Sequence, residues 1–577
     1  MTCKSSSAPV ETVVSGVCTE GGALDSGHSQ GAEYDSKGRK LHRCGSLTYT
    51  KQGLVMLFCW LLWGDFCFNL METVVPSIIP LKLKSLGSAN WIIALIMSTL
   101  PGVFNTTICP WVSFKSDHYR SRWGRRIPFI LYTMPFLTAS LLFIGFSDNI
   151  GSWLHGLFFS GSTLSRNTVI ILLLAVFAGM FDLFNMFVGS VYYYLYNDVV
   201  PEHYQSRFMG WSRLVGVLSG ALYNYFIYRY ALSHMREIYI GAAVLYFVGF
   251  GLMCLKVKEG QYPPPPDSDL APSLLRDIKT FGRECFSVPF FWLIFLGTMF
   301  GAISGTIGIF NVFSLQSLGL DLEQIGKMGA FYGIMIAVCL TFAGVLADRW
   351  HPVRVDAYVN AFSFFFMFTN LLWIFIDPPT SAIFFWVLVG SSAFGVMLTA
   401  IHSTTSMPRM MHLFPRGRFG AFCGAQALVR SAGVMLGGLL AGLFLDMVKS
   451  HFPADSLRSY RYVVVWQGAF AFVTFSLCYC IYRYWKRLGG DTGYTPPLTR
   501  IRYADLPKAQ DTRVRKGMFI PVIISWFGCL LTNGFYFLYF LYLSPDSRSA
   551  WICGGVTVMA ALMLPVYLRF VRFMERA

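Results

Sequence analysis

The chain has 577 residues and a formal charge of +16, which alone would suit a nucleic-acid binder, but 55% of its residues are hydrophobic and only 13% are charged, against roughly 25% charge in a soluble domain. A mean hydropathy of +0.52 excludes a basic globular protein and indicates a polytopic membrane protein, whose partner is the lipid bilayer and not a nucleic acid. The 14 cysteines lie mostly inside apolar runs without disulfide or zinc spacing, so they read as small apolar residues and imply no metal or cofactor.

Residues 1–50 are rich in Ser, Gly and Thr and hold no apolar core of the kind a signal peptide needs, which predicts a disordered cytoplasmic tail. A span requires about 20 apolar residues. Such runs fall near 53–80, 90–114, 127–147, 167–192, 206–229, 238–255, 287–313, 326–347, 357–376, 381–405, 419–446 and 460–484, and again near 517–543 and 550–571. The expectation is an all-α membrane protein of about fourteen spans: a six-helix bundle over 51–255, a Pro-rich linker over 256–286, a second six-helix bundle over 287–485, a basic linker over 486–516 and an extra hairpin over 517–577. With the amino terminus inside, about 34 loop and tail Lys and Arg fall on the cytoplasmic side and about 10 on the other, which places both termini in the cytoplasm of a plasma-membrane protein.

A charge at the centre of a spanning helix costs about 3 kcal/mol on insertion scales, so such groups face a cavity or a partner. Span one reads WGDFCFNLMETVVP, with Asp65, Asn69 and Glu72 at i, i+4 and i+7 on one helical face. Span four carries Asp182 and Asn185 on one face of GMFDLFNMFVGS, span ten carries His402, and spans five and eleven carry Arg213 and Arg430. The last two open matching runs, RLVGVLSG and RSAGVMLG, whose paired glycines permit close helix approach. That match, and the charged loops after spans two (SDHYRSRWGRRIPFI) and eight (ADRWHPVR), read as two repeats.

Twelve helices in two halves, with an acid and arginines after span two and an echo after span eight, resemble the major facilitator superfamily. The loop S-D-x-x-x-S-R-x-G-R-R-x-P-F-I, filled here from Ser116 to Ile130, is similar to that of the glycoside-pentoside-hexuronide:cation symporters and the plant sucrose/proton symporters. So is D-x-x-P-x-x-x-x-x-R over Asp198, Pro201 and Arg207. The resemblance implies a fold of two six-helix bundles in which spans one, four, seven and ten line a central cavity, with Asp65 and Asp182 facing each other across it. It implies a gating network of Asp117, Arg122, Arg125, Arg126, Asp198 and Arg207, echoed by Asp348, Arg349 and Arg418. Arg213 or Arg430 is expected to pair with Asp65 or Asp182 and to release as the acid protonates.

The implied function is proton-coupled symport of a sugar or glycoside, a disaccharide such as sucrose or maltose, by alternating access. Sodium-coupled members of the resembled family place acids on span two, and this span two has none, so the expected coupling ion is a proton. An exporter of drugs, siderophores or other small solutes is the alternative within the same fold, and a non-transporting sensor the alternative of another class. No H-E-x-x-H, G-x-S-x-G or Walker run occurs, so an enzyme is not expected.

Overall fold

The computed structural model describes residues 41–260 and 281–497, with short gaps at 45, 119–120, 122, 162, 379–381 and 453–454, together with parts of 527–565. Long helices stand at all twelve positions expected for the two bundles. In the first they are α1 (Lys51–Ser85), α2 (Asn90–Ala94, continued through a π turn at Leu95–Thr99 into Leu100–His118), α3 (Ile127–Gly145), α4 (Arg166–Val199), α5 (Glu202–Leu222) and α6 (Met235–Val244, reaching Lys256). In the second they are α7 (Pro289–Thr306, extended to Ser317), α8 (Leu322–Trp350), α9 (Pro352–Phe375), α10 (Ala382–Leu413), α11 (Phe419–Ser450) and α12 (Val463–Arg487).

The expected count of fourteen spans is not confirmed among the described residues. Among the described residues nine helices are long and apolar enough to cross a membrane, and α5, α8 and α10 are not among those nine. The expected spans at 517–543 and 550–571 lie largely outside the described residues. Their described parts are helical over 530–543 and 548–558 and pack on the second bundle. There Tyr536 meets Ser391 through its hydroxyl at 2.8 Å and sets its ring edge-on to Trp373 at 5.1 Å.

Local chemistry sets the helix ends. Thr50 caps α1 by accepting Gly53 N–H at 3.2 Å, and Asp321 and Gln324 form a reciprocal capping box at the start of α8. Pro352 opens α9, where its missing N–H costs nothing. Residues 41–50 were expected to close a disordered tail, but Leu41–Cys44 and Leu47–Thr50 pair as an antiparallel hairpin. The hairpin docks below the first bundle, with Cys44 donating to Asp198 O and His42 edge-on to Tyr204. Residues 1–40 lie outside the described residues.

The two arginine–glycine runs occupy equivalent places. A Cβ on Gly216 of α5 would stand 3.0 Å from Asn69 Oδ1 on α1, and one on Gly433 of α11 would stand 2.5 Å from Met299 Cγ on α7. Each run thus lets the fifth helix of its half close on the first, as a repeat requires. The bundles meet each other through α2 with α11 and α5 with α8, where a Cβ on Gly326 would lie 2.3 Å from Asn224 O. These contacts cluster in the helix halves remote from the α2–α3 and α8–α9 connections, the basic end of the molecule. Toward that basic end Gly210, Gly420 and Gly424 face open space.

Gly433→Val is expected to wedge α7 from α11, because Met299 presents backbone as well as side chain at that point. A drop of several degrees in the melting temperature of detergent-solubilised protein is the predicted outcome, with Gly424→Val, placed in open space, as the control that should not move it.

Candidate functional site

The polar face of α1 is real, but its partners differ from those expected. Asp65 is 1% exposed. Its Oδ1 accepts from Tyr196 of α4 at 3.1 Å and from Asn69 at 3.0 Å, and its Oδ2 accepts from Ser212 of α5 at 2.6 Å. Tyr192 donates to Leu61 O at 3.0 Å one turn away, and Asn185 lies beside Glu72. Since α1 and α4 run antiparallel, these pairings fix their register: Glu72 stands level with Asn185, and Asp65 level with Tyr192 and Tyr196.

That register overturns the expectation that Asp65 and Asp182 face each other. Asp182 lies ten or more residues along α4 from the Asp65 level, on the order of 15 Å at 1.5 Å per residue. It is half-buried, and no hydrogen bond or ion pair reaches it among the described residues. Asn185 Oδ1 is likewise buried without a partner, while Glu72 is accessible.

Neither arginine pairs with these acids. Arg213 is exposed and comes no closer than electrostatic range of the Tyr193 hydroxyl, which also feels Glu72 and Asp65. Arg430 is exposed, with no ion pair among the described residues. Asp65 needs no arginine because two hydroxyls and an amide from three helices already fill its acceptor sites.

At the basic end the expected network is found in part. Arg125 grips Asp198 with two bonds, Nη2 to Oδ1 at 2.5 Å and Nε to Oδ2 at 3.0 Å, while Arg126 Nε reaches Oδ2 at 3.3 Å. A residue not anticipated joins them. Glu259, just past α6, accepts the backbone N–H groups of Arg125, Arg126 and Ile127 at 2.6–3.2 Å and so caps α3. Burial pushes the Glu259 carboxyl up, against the three donors that hold it down. Gly124, at φ +107, leaves the room that Glu259 fills. Arg207 is exposed and makes no ion pair among the described residues. Arg122 lies outside the described residues, as do the side chains of Asp117, Asp348 and Arg349.

In the second bundle the buried ion pair is one that sequence reading passed over. Asp356, in the second turn of α9 and 2% exposed, is held by Arg409 of α10 through Nη1 to Oδ2. His402 Nδ1 stands 3.1 Å from the other oxygen, Oδ1, and Asn360 donates to Oδ2 at 3.3 Å. Both charged partners fall just outside the expected spans 357–376 and 381–405. The helices run further, from Pro352 and through Leu413, and carry them inside. Arg418 makes only a half-exposed pair with Glu284 at 3.4 Å.

Breaking a buried pair strands one charge and costs about 3–5 kcal/mol, whereas replacing both partners is often neutral. Arg409→Met alone is therefore expected to lower the melting temperature and yield sharply, and Asp356→Leu combined with Arg409→Met to recover most of that loss. A thermal-shift series on the two single variants and the double variant measures the coupling.

The family model for the Major Facilitator Superfamily matches residues 156–438, from before α4 to within α11. No characterised sequence matches the chain. Among solved structures, a bacterial homologue of the human lysosomal transporter Spinster, inward-facing and occupied, is 13% identical with a TM-score of 0.55 over 75% of this chain and 98% of its own. A bacterial homologue of the iron transporter ferroportin, inward-facing, is 15% identical with a TM-score of 0.53 over 74% and 99%. The inward-open xylose transporter XylE from E. coli is 12% identical with a TM-score of 0.50 over 73% and 96%. Two bundles of six helices, repeat-related glycine contacts and arginine–acid networks at one end agree with these comparisons: the chain is an integral membrane protein with the fold of the major facilitator superfamily, whose family model matches just under half of it.

Proposed function

We propose that the chain is a proton-coupled symporter of a sugar or glycoside, a disaccharide such as sucrose or maltose, working by alternating access. The observation that carries this reading is the contrast between two kinds of acid. Asp198 and Asp356 are neutralised by arginines. Asp65, Glu72 and Asp182 have no cationic partner among the described residues, although all three lie within spanning helices. An uncompensated carboxylate in a low-dielectric interior must take up a proton or a passing cation.

Asp182 and Glu72 are the proposed proton carriers, because Asp65 is already saturated with donors. Asn185, with its unpartnered Oδ1, and Tyr193 are the proposed hydrogen-bonding groups for substrate hydroxyls. The loop resemblance to sucrose/proton symporters supports the sugar, as does the likeness to a xylose transporter. The acid-free span two supports the proton. Arg125, Arg126, Asp198 and Glu259 are the proposed gating cluster of the basic end, which with the amino terminus in the cytoplasm of a plasma membrane faces inward. The chain then stands inward-facing, like the Spinster homologue it is similar to.

Proteoliposomes offered a panel of labelled sugars under an imposed pH gradient provide the test. Uptake should follow an inward proton gradient and collapse with an uncoupler. Asp182→Asn and Glu72→Gln should each lower gradient-driven uptake at least about tenfold, the effect of about 1.4 kcal/mol, while leaving exchange of bound sugar. Wild-type gradient-driven uptake in both variants would sink the carboxylate mechanism, and drug efflux without sugar uptake would replace the sugar by an exporter's cargo.

A further inference from the structure

One carboxylate reaches from the second bundle into the first. Asp446, near the end of α11, accepts Asn90 N–H on Oδ1 at 3.0 Å and Trp91 N–H on Oδ2 at 2.9 Å. These are the first N–H groups of α2, which have no acceptor within their own helix. The residue before them, Ala89, has no side chain able to cap. The cap of a helix in one bundle is thus supplied by the other bundle.

The surroundings are built to bring it there. A Cβ on Gly442 would stand 2.6 Å from Trp91 Cα, and one on Gly438 would stand 2.5 Å from Ser98 Oγ, so α2 and α11 touch backbone to backbone. In the π turn of α2, Ser98 donates to Val434 O at 3.3 Å and Thr99 to Met435 O at 2.9 Å. Tyr460, before α12, donates to Asn90 Oδ1, and the Lys84 ammonium lies 4.7 Å over its ring.

We propose that Asp446 is the latch of the end opposite the basic loops, and that the Asp446–α2 cap must break for the central space to open on that side. Both of its bonds join one bundle to the other, so rocking the bundles apart breaks them together. Bonds within a bundle, such as Arg125–Asp198, survive the same motion. A carboxylate facing two backbone N–H groups at a positive helix end is a charge-assisted contact, strong enough to bias the equilibrium. Once the bundles part, water satisfies both sides, so the latch remains reversible. Asp446 is a positioning residue of the transport cycle and touches no substrate.

The test uses full-length protein in proteoliposomes without substrate, so its result is independent of the sugar and proton reading. Gly102→Cys with Met435→Cys places two thiols across α2 and α11 within disulfide reach, since a Cβ on Gly102 would stand 3.7 Å from Met435 Cα once the Met435 side chain that fills the space is gone. Mild oxidation should crosslink them, and adding Asp446→Ala should slow that crosslinking by roughly fivefold, the effect of losing a helix cap. In a Ser98→Cys background, Asp446→Ala should speed labelling by a membrane-impermeant maleimide, and Asp446→Glu should restore slow labelling. Should Asp446→Ala fail to fold, Asp446→Asn keeps the shape while turning an amide toward one N–H, and is read the same way. Unchanged crosslinking and labelling in folded protein overturn the latch, even if the melting temperature falls.

Discussion

The cost of holding an uncompensated charge in an apolar slab governs this molecule. With 55% hydrophobic residues and twelve long helices in the two described bundles, most charge is driven to helix ends, and what stays inside must be paired, saturated with donors or used. Each outcome has an example. Asp356 and Arg409 neutralise each other, buried at the basic end of the second bundle. Asp65 is surrounded by Asn69, Tyr196 and Ser212. Asp182 has neither kind of partner among the described residues, which is why we propose it as a proton carrier.

The two halves meet the same constraint with opposite polarity. In the first, arginines at the start of α3 bind an acid at the end of α4, through Arg125, Arg126 and Asp198. In the second, an acid at the start of α9 binds an arginine at the end of α10, through Asp356 and Arg409. The same pair of helix ends is tied in each repeat with the signs exchanged. A pairwise attraction does not depend on which partner carries which sign, so the exchange leaves the mechanical link intact. In the second half a histidine, His402, also stands beside the acid.

Glycines decide how the bundles close. Within each half, Gly216 and Gly433 bring the fifth helix onto the first; between halves, Gly326 and Gly442 bring backbone to backbone and Gly438 makes room for the Ser98 side chain. The inter-bundle set lies away from the basic loops, so close packing and hydrogen bonding there coincide with open space around Gly210, Gly420 and Gly424. A transporter alternates by exchanging which end is closed. Glu259 at one end and Asp446 at the other show the same device, a carboxylate capping the N-terminus of a helix, Glu259 within its own bundle and Asp446 across the two.

Much of the architecture was legible in the chain. Hydropathy located the helices because a spanning segment must be apolar over its whole length. The paired R-x-x-G-V-x-x-G runs exposed the repeat, and helical spacing placed Asp65, Asn69 and Glu72 on one face. Spacing within a helix is local, however, and carries no information on the register between helices. That Asp65 meets Tyr196 and Ser212 rather than Asp182 or Arg213 depended on how α1, α4 and α5 slide against one another. That Asp356 and Arg409 are buried partners depended on helices extending beyond their apolar cores. Sequence alone determined which groups could not rest in a bilayer unsatisfied; only the tertiary structure decided which of them satisfy each other, because hydrogen bonds and ion pairs form between helices far apart in the chain, at distances that packing sets.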